Sequence, residues 1–179
     1  MASGKAAFPE FRQFADDLQV EDEHLLQLLS WAAKLHEIGL SVAHSGYHKH
    51  SAYILSHADM PGFSKMEQDR LSILVLAHRG SLDKMRGLLK GDVERALVVA
   101  LRLAVLFYRS RTNAHLPAIE THCEGFKYRV KLDVDWLREN PLTAAALREE
   151  TREWRKLGVD LEVKSLEAID ADTEAMLAG

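Results

Sequence analysis

The sequence predicts a mainly α chain, a helical bundle followed by a small α+β subdomain with a short antiparallel sheet. Three observations predict it. Apolar residues recur at helical spacing in successive segments between residues 22 and 111. The last of these, 93–111, is apolar on nearly every face, as suits the central helix of a bundle. Beyond it the period changes to alternation on either side of Glu124-Gly125, the pattern of a hairpin. The helical part is assigned to residues 1–115 and the α+β part to residues 116–179.

Residues 1–7 are small and polar and carry no element. In 22–38, Leu25, Leu26, Leu28, Leu29, Ala32, Leu35 and Ile38 fall at helical spacing, with Asp22 as a cap and Gly39 as a stop. A second helix is expected over 47–58, followed by a Pro61-Gly62 turn. Ser64 and Glu67 have the spacing of a capping box and open a third helix over 65–79, closed by Gly80. A short helix fits 82–89. Asp92 caps the central helix. In the α+β part, residues 118–122 and 126–132 form the hairpin. Asn140 and Pro141 open a helix over 142–157 that ends at Gly158, and 161–164 is a third strand beside the hairpin.

Composition narrows the function. The chain has 179 residues, 47% apolar and 28% charged, which is ordinary for a globular protein that folds without disulfides or metal. Cys123 is the single cysteine, so neither an internal disulfide nor a Cys-rich zinc site can form, and a reducing cytoplasm is the natural compartment. Its expected role is a small apolar filler. The longest apolar run, 96–108, is interrupted by Arg102 and is too short to span a bilayer. Aromatic content is 7% with no basic-aromatic interleaving, which disfavours single-stranded nucleic acid as a partner. Trp31, Trp136 and Trp154 are read as packing anchors.

The net charge of −4 conceals a pattern. Residues 1–40 carry −4, residues 41–77 are neutral, residues 78–131 carry +6 and residues 132–179 carry −6. A basic middle lies between acidic ends. Either the ends pair with the middle, or part of the middle faces an anion.

Six of the nine histidines lie at positions 36, 44, 48, 50, 57 and 78, so a metal site is the first hypothesis. Leu35-His36-Glu37-Ile38-Gly39 resembles the L-H-D-I-G signature of HD-domain phosphohydrolases, whose His and carboxylate ligands hold catalytic metals. Three departures matter. Glu37 replaces the aspartate. The only upstream histidine, His24, is twelve residues earlier, about 18 Å along the same helix. No Asp or Glu occurs from Arg95 to Ile119, and Val105 stands where the last aspartate belongs. His36 and Glu37 are therefore read as a vestigial pair with no metal.

The wider segment is more specific. Trp31 to Leu40 (WAAKLHEIGL), His44 to Leu55 (HSGYHKHSAYIL), Asp59 to Ser64 (DMPGFS) and His78-Arg79-Gly80 together resemble the C-terminal region of the exopolyphosphatase / guanosine pentaphosphate phosphohydrolase family. That resemblance implies an HD-like helical domain and a small α+β end, following two actin-like domains that hold a magnesium-dependent phosphatase site. It implies that this chain is a C-terminal piece without catalytic residues or a cofactor of its own. It further implies that the piece binds inorganic polyphosphate and helps a homodimer form.

The candidate polyphosphate-binding residues are His44, Ser45, Gly46, His48, Lys49, His50, His78, Arg79, Arg109 and Arg111. His44 to His50 lie at a helix start, where free N–H groups and partial positive charge favour an anion. The competing reading is that His44 and His48 bond locally and position the preceding loop. Arg95, Arg102 and Arg109 share one helix face at intervals of seven residues; Arg102 is favoured as an ion-pair partner, and Arg109 and Arg111 as ligands. Lys127, Arg129 and Lys131 alternate onto one face of the hairpin, read first as a solvated face. Two other functions stay open: an active HD-type metal phosphohydrolase, and a purely structural dimerisation domain.

Overall fold

Phe11, Phe14 and Ala15 share one face of a ten-residue helix, α1 (Pro9–Leu18), and all three are buried. Pro9 opens it, where a missing N–H costs nothing. The sequence reading assigned no element here, although 11, 14, 15 and 18 have helical spacing. This is a computed structural model, and it describes residues 8–21, 23–109 and 116–166. The expected Asp22 cap lies outside the described residues. Helix α2 (Glu23–Leu35) stops before Gly39. The Ser51 hydroxyl donates to the His36 carbonyl at 2.8 Å and accepts from the Gly39 N–H at 2.8 Å, drawing the chain into a 3-10 turn, Ile38–Ser41. Gly39 is buried, and a Cβ there would lie 2.2 Å from the Tyr47 carbonyl oxygen, so only glycine fits.

Helices α3 (Tyr47–His57) and α4 (Lys65–Ala77) follow as expected, α4 beginning in a complete Ser64/Glu67 capping box. The helix expected over 82–89 is instead a 3-10 turn, Leu82–Met85, capped by Ser81 and followed by Gly87 at a positive φ of 75°. Helix α5 (Asp92–Arg109) is the central helix: every residue from Arg95 to Ala104 is buried. It packs against α1, α2 and α4. No helix among the described residues is long and apolar enough to cross a membrane.

Strands β1 (Ile119–Glu124) and β2 (Lys127–Leu132) form the antiparallel hairpin, in register from Ile119 opposite Leu132 to Glu124 opposite Lys127. Helices α6 (Val134–Glu139) and α7 (Pro141–Lys156) lead to β3 (Asp160–Ser165), which lies beside β2. The sheet is antiparallel in its hairpin, but β3 runs parallel to β2, because two helices carry the chain back to the starting end. Thr121, Cys123, Tyr128, Val130 and Leu132 point inward and Lys127 and Arg129 outward, as alternation requires.

Helix α1 closes the outer edge of the sheet. The Thr121 N–H donates to the Gln13 side-chain oxygen at 2.5 Å, and the Cys123 N–H donates to Asp17 at 2.8 Å. One apolar core runs from Phe8 through α5 to Leu161. Trp154 is fully buried in it, while Trp31 packs on Phe63 and Trp136 on Phe107, so all three tryptophans are packing anchors. Cys123 is buried, and desolvation first, then Asp17 and Asp92, pushes its thiol up to about 12; it is inert filler.

Candidate functional site

Helix α4 ends where His78, Arg79 and Gly80 turn the chain. Gly80 adopts a positive φ of 76°, which glycine tolerates without strain. Its open side is flanked from two directions. A Cβ there would lie 3.5 Å from the Lys84 Nζ and 3.8 Å from the His48 ring. Lys84 Nζ donates to the Arg79 carbonyl at 2.7 Å. Arg79 lies over the Tyr47 ring, 4.8 Å from its centroid. Beneath them, Arg102 donates to the carbonyls of Ala77 at 2.7 Å and Gly80 at 3.1 Å, and makes a two-point ion pair with Glu150 at 2.7 and 2.8 Å. Arg102 is thus the ion-pair partner that the sequence favoured, and it fixes the Gly80 turn from below.

Three cations of this cluster are not neutralised. Among the described residues, no carboxylate lies within 4 Å of the charged nitrogens of Lys49, Arg79 or Lys84. Glu153 approaches, but it is engaged by the Leu82 N–H at 2.9 Å and by Lys156. The consequences show in the titrating groups. Burial, then the charges of Arg102, Lys49 and Arg79, brings the Lys84 ammonium down to about 8, against a smaller opposing pull from Glu153. Burial, then Lys84, Arg79, Lys49 and Arg102, brings His48 down to about 4. A region in which the nearby cations outweigh the pull of Glu153 suits an anion.

The predicted residues divide accordingly. His48, Lys49 and Arg79 come together around Gly80, joined by Lys84, which the sequence reading missed. Its only sequence signal was its place four residues beyond Gly80 in a short capped turn. Gly46 precedes α3 with φ 67°, and no side chain caps that helix. His44 and Ser45 stand exposed in the loop before it, and His50 is half-buried. His78 is 2% exposed, its Nδ1 donating to the Val75 carbonyl at 2.6 Å and its Nε2 3.4 Å from the Tyr47 hydroxyl. Arg109 is the last residue of α5, and Arg111 lies outside the described residues. A cleft of about 710 Å³, lined in part by Arg79, Ser81, Leu106 and Leu142, opens beside the cluster.

The metal hypothesis meets a different geometry. The rings of His36 and His78 are 4.8 Å apart, and Glu37 lies 3.8 Å from His36 Nε2. Yet among the described residues no group of three or more His, Cys, Asp or Glu side chains could hold a metal ion. His36 donates from Nδ1 to the Ala33 carbonyl at 2.7 Å, and the His78 ring lies 6.3 Å from that of His48.

A mainly α domain with a small α+β end, carrying a cluster of cations where His48 and His78 meet, is the class that fold and site define. Residues 5–151 match the family described as Ppx/GppA phosphatase, domain III, and the chain belongs to that family. It is similar to the guanosine-5'-triphosphate,3'-diphosphate pyrophosphatases of Vibrio vulnificus (32% identical over 156 residues, 86% of this chain) and Pseudoalteromonas translucida (37% over 136 residues, 74% of this chain). The matches cover 31% and 27% of those relatives, so this chain spans about a third of their length.

Proposed function

We propose that this chain is the polyphosphate-gripping and subunit-pairing domain of an exopolyphosphatase-type hydrolase. The longer protein releases terminal phosphate from inorganic polyphosphate or guanosine pentaphosphate, and it works in the cytoplasm. Catalysis belongs to actin-like domains outside this chain. So does the magnesium that the family resemblance implies. The observation that carries the reading is the meeting of Lys49, Arg79, Lys84 and His48 at Gly80 without a neutralising carboxylate. The names of the relatives, hydrolases of a guanosine carrying a triphosphate and a diphosphate, fit a polyanionic substrate.

The test is binding of long-chain polyphosphate in low salt by the chain and by an Arg79→Ala, Lys84→Ala double variant. Affinity should fall about tenfold or more per cation, as loss of a charge-assisted contact worth about 1.5 kcal/mol implies. Unchanged affinity, or no binding by the parent chain, removes the site. The pairing surface in this reading is the first 3-10 turn and its end, a choice supported by the exposure of Ile38, Leu40 and Val42 at 39%, 39% and 60%. Val42→Glu should convert a dimer to a monomer in sedimentation; a dimer that persists moves the contact elsewhere.

A further inference from the structure

Lys84 differs from every other described lysine in its surroundings. It is half-buried on a 3-10 turn, its Nζ is held at 2.7 Å by the Arg79 carbonyl, and it has no carboxylate partner. The charged groups that face it come from each element packed around it: Lys49 from α3, Arg79 from the end of α4, Arg102 from α5 and Glu153 from α7. The Gly80 backbone passes beside the amine, where a Cβ would meet the Lys84 Nζ at 3.5 Å and the His48 ring at 3.8 Å. By contrast Lys49, Lys65 and Lys90 are exposed, and Lys65 is paired with Asp69 at 2.9 Å.

We infer that Lys84 is a site of N-acylation by acyl phosphates, and that acylation switches off the anion-binding cluster. The inference rests on the reading of the cluster as a phosphate grip. An acyl phosphate carries the dianion that Arg79 and Lys49 are placed to hold, and its carbonyl carbon is one bond from the phosphate oxygen. The free amine of Lys84 attacks that carbon and a C–N bond forms. The C–O bond to phosphate breaks, inorganic phosphate leaves with the electron pair, and the amine proton passes to solvent. The product amide carries no charge, so the cluster loses one of its three unneutralised cations. The same surroundings that disfavour the ammonium, bringing it to about 8, supply far more free amine near neutrality than an exposed lysine has.

The test is incubation of the folded chain with acetyl phosphate over a pH series, with the occupancy of each lysine read by peptide mass spectrometry. Lys84 should be acetylated at least about tenfold faster than Lys49, Lys65 or Lys90 near neutral pH, its larger free-amine fraction being offset in part by the weaker nucleophilicity of a less basic amine. Its rate should level off above about pH 8, where its amine is already free, well before that of an ordinary exposed lysine would. Equal rates for all four lysines, or a Lys84 rate that climbs in parallel with theirs, overturns the proposal. Acetic anhydride, which carries no phosphate, is the control. A Lys84 preference seen only with the anhydride overturns the assignment to acyl phosphates. Polyphosphate added as competitor separates the two readings. A Lys84 preference for acetyl phosphate that polyphosphate protects supports both, and one that polyphosphate leaves untouched supports acylation while removing the polyphosphate grip.

Discussion

His78 and His48 sit where a positive charge is hard to hold. His78 is nearly fully buried, and burial outweighs its bond to the Val75 carbonyl; with His36, His48 and Arg79 nearby, its imidazole is brought down to about 3. His48, less buried but faced by four cations, is brought down to about 4. In the unfolded chain both titrate near about 6.5. Below that pH the unfolded state takes up protons that the folded state refuses, so stability is full above about pH 6.5 and declines as the pH falls toward these lowered values. The urea midpoint should therefore fall between about pH 6.5 and about pH 4.5, before most carboxylates titrate, and a His78→Gln variant should flatten that fall. A midpoint that holds level across this range means that the buried imidazoles accept protons without cost.

At the scale of elements, legibility followed local chemistry. The α4 capping box and the α5 apolar run were legible because each signal lies within one helix and is confirmed by that helix alone. The end of α2 was not, because Gly39 looks like a helix stop but is buried for a tertiary reason, the approach of the Tyr47 carbonyl and Ser51. Helix α1 was passed over although Phe11, Phe14 and Ala15 mark its face. Its partners, Thr121 and Cys123, lie more than a hundred residues away, so no local pattern announces that α1 seals a sheet edge. The candidate site shows the same division. The basic middle, Arg79 and the His48-Lys49 pair were visible in sequence. Lys84 was not, because its character comes from neighbours on four other elements rather than from its own stretch of chain.

At the scale of the molecule, the charge pattern resolves into two populations. Residues 78–131 hold eleven Lys or Arg and five Asp or Glu. Among the described residues, five of those cations are paired: Arg86 with Asp83, Arg95 with Asp92, Arg102 with Glu150, Arg129 with Glu162 and Lys131 with Glu120. Two of the partners, Glu150 and Glu162, come from the acidic C-terminal segment, so that end does pair with the middle, while Arg79 and Lys84 at Gly80 are among the described cations with no carboxylate partner. The two arrangements predict different salt sensitivities. A polyanion held by Lys49, Arg79, Lys84 and one further cation displaces few counterions, so the log of its affinity should fall with log salt at a slope of about −2 to −3, at about 0.7 per contact for a single-stranded polyanion. A groove that used all eleven basic residues of the middle would give a slope of about −8. Titrating polyphosphate across a salt series decides between them. The shallow slope, lost together with Arg79 and Lys84, places recognition at one compact site, whereas a steep slope that survives their removal spreads it along the hairpin and α5.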